Sequence, residues 1–160
     1  MPAIHHSAIC VRDVETSLRF WRDGLGFAVL MDERFAGDWP TLLRAPSSSL
    51  RAVFLGDPAH PDAGIVELVD LGDVPDASGG VDAPASSGFL LLSVMTDLDA
   101  ALGRLAALGL GGPPRRVEVS GVAMAVVADP DGVLVELVDT AASRNLERLT
   151  RPDPAAEDQG

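Results

Sequence analysis

The sequence contains no lysine, no tyrosine and only one cysteine, Cys10. Without lysine, neither a Schiff-base mechanism nor the lysine of a P-loop is available. A single cysteine excludes an intrachain disulfide and a cysteine-based zinc cluster. Aromatic residues make up only 4% of the chain, so a core must rest on Leu, Val, Ala and Ile, which the 47% hydrophobic content provides. Twelve arginines face 24 carboxylates, giving a formal net charge of −12. No basic stripe exists to follow a phosphate backbone, so nucleic acid is not an expected partner. No stretch approaches the roughly 18 consecutive apolar residues of a membrane helix. The opening MPAIHHSAIC lacks the basic start and long apolar run of a secretory leader. The expectation is a cytoplasmic protein that does not span a membrane.

What is present is a repeat. PDAGIVELVD at 61–70 returns as PDGVLVELVD at 130–139, with Glu67 and Glu136 at the same place in each, 136 − 67 = 69 residues apart. Upstream, Val11 matches Val94, Leu25-Gly26 matches Leu108-Gly109, and Phe27 matches Leu110, all at an offset of 83. Each half reads as a strand, a helix and then further strands. In the first half these are IHHSAICV, a helix capped by Asp13 or Thr16 and ending in DGLGF, FAVLMDERF, a hairpin of TLLRA and LRAVFLG, and GIVELVD. In the second half they are GFLLLSV, a helix capped by Asp97, RRVEV, VAMAVVA and GVLVELVD. Residues 71–87, rich in Gly, Pro, Ser and Asp, read as a linker, and 141–160 as a polar, flexible tail. The expected organisation is a first module over 1–70, the linker, a second module over 88–140, and the tail. Internal duplication accounts for this order.

HHSAICVRDVETSLRFWRDGLGF, GIVELVD, the DLDAALGRLAALG helix and DPDGVLVELVD resemble the vicinal oxygen chelate superfamily, which includes glyoxalase I, methylmalonyl-CoA epimerase, extradiol dioxygenases and bleomycin-binding proteins. The resemblance spans roughly residues 4–139. It implies an α+β fold of two βαβββ modules, whose curved half-barrel sheets enclose a shared cavity. It also implies metal ligands on the first and last strand of each module. Carried to this chain, those positions are His6, Glu67, Phe89 and Glu136. Phe89 follows from the offset of 83.

Strand alternation sends neighbouring side chains to opposite faces. Read that way, His5 and His6 do not share a face, whereas His6, Ala8 and Cys10 do. A glutamate in an apolar strand is costly unless paired or metal-bound. One divalent ion, Zn, Ni, Co or Mn, shared by His6, Glu67 and Glu136 would relieve both glutamates. The plainer alternative makes both of them solvent-facing residues on half-exposed strands. Phe89 supplies no second imidazole, which weighs against the two-histidine, one-carboxylate iron site of a ring-cleaving dioxygenase. Phe89, Cys10 and Met124 are expected to line the pocket. Arg44 and Arg51 are expected at its mouth, where they would meet an anionic group. Phe20 and Trp21 read as core, and His60 as exposed.

The leading expectation is a metal-dependent lyase or isomerase of glyoxalase or epimerase type. It would hold a small carbonyl compound through vicinal oxygens, with Glu136 or Glu67 moving a proton. The alternative, from a different class, is a metal-free protein that binds a drug or natural product, as the bleomycin-binding relatives do. A ring-cleaving dioxygenase ranks below both. Each module's exposed sheet edge needs cover, so a homodimer is expected.

Overall fold

The computed structural model describes residues 4–62, 64–75, 88–119 and 121–140. Most of the expected linker and all of the expected tail lie outside the described residues. The strands are β1 (His6–Cys10), β2 (Ala28–Ala36), β3 (Ser49–Gly56), β4 (Ile65–Asp70), β5 (Leu92–Thr96), β6 (Arg115–Val119), β7 (Val122–Ala128) and β8 (Leu134–Asp139). They form two open four-stranded sheets, ordered β1-β4-β3-β2 and β5-β8-β7-β6. In each, the first strand runs parallel to the last and the other pairings are antiparallel. The fold is α+β.

Helix α1 (Val14–Leu18) starts where the Asp13 carboxylate accepts the N–H groups of Glu15 and Thr16, and it continues as a π-helical turn over Arg19–Gly24. Helix α3 (Leu98–Leu108) is capped in the same way by Asp97, and it ends at Gly109, whose φ of 69° is the left-handed conformation that glycine adopts without penalty. The short helix α2 (Trp39–Leu43) occupies the place where TLLRA was expected to be a strand. The correction has a local cause. Asp38 accepts the N–H of Thr41, and Pro40 sits in the first turn, where its missing N–H costs nothing.

Both sheets turn one face to a single apolar core. Ile9, Val53, Leu55, Val66 and Leu68 come from the first sheet, and Ala125, Val127, Val135 and Leu137 from the second. Between them lie Phe20 and Trp21, both fully buried as expected, with Leu98, Ala101 and Leu105 of α3. Burying each large side chain contributes on the order of 2–3 kcal/mol.

The helices cross-brace this core through an exchange of arginines. Arg104 of α3 donates to the carbonyl of Gly24 at 2.8 Å, and Arg19 donates to the carbonyl of Leu108 at 3.3 Å. Each cation thus meets the electron-rich C-terminal end of the other module's helix. A third link runs from Arg12, which donates to Asp131 at 2.9 Å and to the carbonyl of Pro130 at 2.7 Å.

Asp129 sits beside this junction, almost fully buried. Its Oδ1 accepts the N–H groups of Asp131 and Val133 at 2.9 and 2.8 Å, while its Oδ2 and the Trp21 indole N–H lack a well-formed hydrogen bond among the described residues. Burial pushes this carboxyl up to about 6, against the two backbone N–H groups.

A Cβ on Gly24 would collide with the buried side chain of Leu105. Gly24→Ala should therefore cost about 1–3 kcal/mol in denaturant unfolding. For Asp129 the folded state favours the neutral form, so its destabilising effect is full above pH 6 and fades as pH falls towards the ordinary value of 3.8. Compared with Asp129→Asn, the parent should gain melting temperature between pH 8 and pH 5. Parallel melting curves for the two proteins would contradict the assignment.

Candidate functional site

Side chains that alternate away from the core define the opposite face of each sheet. On the first sheet that face carries His6, Ala8, Phe54, Glu67 and Val69, because Ala8 pairs with Glu67 and Phe54 with Glu67. His6 and Glu67 meet there. Nε2 of His6 stands 3.2 Å from Oε2 of Glu67, with side-chain exposures of 39% and 15%. The His6 ring stacks on Phe54, at a centroid distance of 5.6 Å and an interplanar angle of 29°. Burial raises the Glu67 carboxyl above its ordinary value, and the neighbouring His6 and His5 partly oppose that shift. Trp39 of α2 covers part of the same face, packing on Leu50, Ala52 and Val69.

On the second sheet the corresponding face carries Ser93, Met95, Met124, Val126, Glu136 and Val138. The Ser93 hydroxyl donates to Oε2 of Glu136 at 2.8 Å. Met95, Val117 and Val119 are exposed there. A groove of about 390 Å³ is lined by His5 and His6 from the first module and by Ser93 and Met95 from the second. Glu136 is not brought against His6 and Glu67. Among the described residues, no three His, Cys, Asp or Glu side chains are grouped to hold one ion.

The pairing registers correct the position assigned to Phe89. Ser93 stands opposite Glu136 as Ala8 stands opposite Glu67, an offset of 93 − 8 = 85. The counterpart of His6 is therefore Leu91. The offset of 83 holds only at the helix ends, because the π-helical turn and the link from β1 to α1 each hold one residue more than their counterparts. Phe89 is 74% exposed and lines a different cavity, of about 470 Å³, together with Cys10, Arg12, Leu92 and Asp131. Desolvation pushes the Cys10 thiol up, helped by Asp131 and Asp70 against the Leu71 backbone. The thiolate is disfavoured, so Cys10 is a poor nucleophile.

Arg51 lies on the helix side of its sheet, not at a cavity mouth. It holds Asp32 through two hydrogen bonds of 2.8 Å and Glu15 through one of 3.1 Å. This corrects its expected role as an anion site. Arg44 is exposed at the end of α2 in the left-handed region, with φ of 56°. His60 is exposed and pairs with Asp57 at 3.0 Å.

Two site residues escaped the sequence reading. Phe54 carried a signal, since its alternation with Ala52 and Leu50 puts it on the face of Glu67. His5 was assigned to the other face by alternation. However, it precedes β1, and its Nδ1 lies 2.9 Å from Nδ1 of His6.

The His6–Glu67 spacing suits a metal. Two ligand atoms each about 2.0–2.2 Å from one ion lie about 3.0–3.5 Å apart in octahedral or tetrahedral shells. An imidazole with a carboxylate suits zinc, nickel, cobalt or manganese. Among the described residues these two side chains are the only ligating groups brought together at this point.

Comparison with known proteins agrees with this architecture. A family model described as Glyoxalase/Bleomycin resistance protein/Dioxygenase superfamily matches residues 3–137. A lactoylglutathione lyase-like protein of Aspergillus terreus is 35% identical over 146 residues, covering 85% of this chain and 74% of that protein. The trypanothione-dependent glyoxalase I of Leishmania major shares the fold at a TM-score of 0.66 and 20% identity, over 93% of this chain and 94% of that one. A glyoxalase family protein from Bacillus cereus does so at 0.68 and 17%, over 87% and 94%. The chain belongs to the Glyoxalase/Bleomycin resistance protein/Dioxygenase superfamily.

Proposed function

We propose that the protein is a glyoxalase-type lyase that acts on a small carbonyl compound with vicinal oxygens, and that it works as a homodimer. The observation that carries this reading is the His6–Glu67 pair, 3.2 Å apart on an open sheet face beside Phe54. The likeness to a lactoylglutathione lyase-like protein supports the reaction class.

His6 and Glu67 would hold a divalent ion, and Glu136 of a second copy would complete the set. Glu136 lies on a sheet face whose apolar side chains are uncovered in one chain, and covering that face with the first-module face of another copy removes apolar surface from water. Lewis-acid polarisation of the substrate's carbonyl oxygens is what a divalent ion supplies when bound. The chain's own residues would do the rest. Glu67, whose carboxyl burial raises above its ordinary value, stands beside His6 where it could accept and return a substrate proton. Ser93 fixes the orientation of Glu136. Phe54 and Trp39 would offer aromatic surface to an apolar part of the substrate, and Arg44, exposed at the end of α2, would be available to an anionic group.

A second reading is a metal-free binding protein. It is favoured by Leu91, which puts an aliphatic side chain where a further ligand would stand. Ring cleavage is disfavoured for the same reason.

Elemental analysis should find about one divalent ion per chain, and both His6→Ala and Glu136→Ala should lose it. A mixed dimer of the two variants keeps one intact site of two. After subunit exchange, a mixture should therefore regain about a quarter of the metal and of the lyase activity. No recovery, with metal present in the parent, would place the site within one chain. A parent that takes up no metal would leave the binding-protein reading in front.

A further inference from the structure

Helix α2 brings a single side chain against the sheet. Pro40, Thr41, Leu42 and Leu43 are exposed, whereas Trp39 packs on Leu50, Ala52 and Val69. Its position is fixed at both ends of the helix. The indole Nε1 donates to the Phe35 carbonyl at 3.2 Å, and the Ala45 N–H donates to the Trp39 carbonyl at 3.3 Å. A Cβ on Gly37 would stand 3.1 Å from the indole, so glycine there lets the ring lie close against the chain that enters the helix. The helix spends its length on placing one ring over the outward face.

The pairing register shows what that ring covers. Phe54 pairs with Glu67, and the next outward pair along the same two strands is Ala52 with Val69. Side chains two residues apart on one face of a strand stand about 7 Å apart. The indole therefore lies one such step beyond Glu67. From there on, the floor of this face is aliphatic, made of Val69, Ala52 and Leu50, which is the surface that a long alkyl group would take. All three are almost fully buried beneath the indole. We propose that Trp39 is a specificity-determining residue: it occupies the aliphatic floor beyond Glu67, so that the site admits carbonyl compounds with a short apolar group and refuses those with a long alkyl chain. That the carbonyl is held beside His6 and Glu67 rests on the function proposed above. That the floor is sealed does not.

The test has a part for each. Hydroxamates of rising acyl length, acetyl, hexanoyl and decanoyl, offer two vicinal oxygens and one alkyl chain. With the Zn²⁺-loaded parent, calorimetry should find hexanoyl and decanoyl bound no more tightly than acetyl. In Trp39→Ala the decanoyl compound should bind about 10–100-fold more tightly than the acetyl one, since each buried methylene contributes about a factor of four. Trp39→Phe keeps a smaller ring on the sheet and should fall between, which also covers the case that Trp39→Ala does not fold. A purely structural role would weaken all three ligands together, and an unchanged length preference in the variants would overturn the inference. So would a parent that prefers the long chains. In the metal-free protein, hexanol should shift the Leu50 and Val69 methyl resonances of the variants and leave those of the parent in place. Shifts in the parent, or none in either variant, would likewise overturn it. A parent that takes up no Zn²⁺ ends the function proposed above, and the hexanol spectra then decide the role of Trp39.

Discussion

The reciprocal arginine contact between the two helices is the constraint on which the rest depends. Arg104 reaches the last carbonyl of the π-helical turn, and Arg19 reaches the last carbonyl of α3. Each module thereby ends the other's helix. The exchange requires the helices to lie close, which is why Gly24 has no room for a side chain against Leu105. With the helices fixed, each sheet has one possible inner face, and alternation decides which residues face outwards. The location of His6, Glu67 and Glu136 on the outward faces follows from that packing rather than from any interaction among the three.

Much of this was legible in the sequence because it is periodic. Two copies of a strand-helix-strand order, two capping aspartates and two glutamates in apolar runs are local patterns that survive without coordinates. The pairing of His6 with Glu67 was also within reach, because parallel strands of known face leave little freedom. What failed was counting across an irregularity. The π-helical turn and the link from β1 to α1 each add one residue without changing the apolar pattern, so an offset measured at the helix end carried Phe89, two residues short, into the position that Leu91 occupies. Alternation likewise misplaced His5, which lies one residue outside the strand where the rule applies. TLLRA has the composition of a strand, and the cap at Asp38 with Pro40 overrode it. Arg51 could not be assigned from its sequence position, because its two carboxylate partners come from α1 and β2.

The duplicated modules have diverged in their outward faces more than in their shared core. The core positions are filled by the same kind of aliphatic side chain in both sheets. On the outward faces, the first module has an imidazole, two aromatic rings and a half-buried carboxylate. The second has methionine and valine around a glutamate tethered by a serine. Conserving the core while varying the face lets one scaffold serve many chemistries.

That divergence has a stereochemical consequence. A flat carbonyl compound has two faces, and a proton delivered to one gives the mirror image of a proton delivered to the other. Two walls related by a simple duplication would offer the same kinds of side chain to both of those faces. Helix α2 lays Trp39 over one wall only, so a substrate held between the unlike walls would meet rings on one side and flexible aliphatic chains on the other. Helix α2, which the second module lacks among the described residues, would thus make the two walls differ in the kind of side chain each presents to such a substrate.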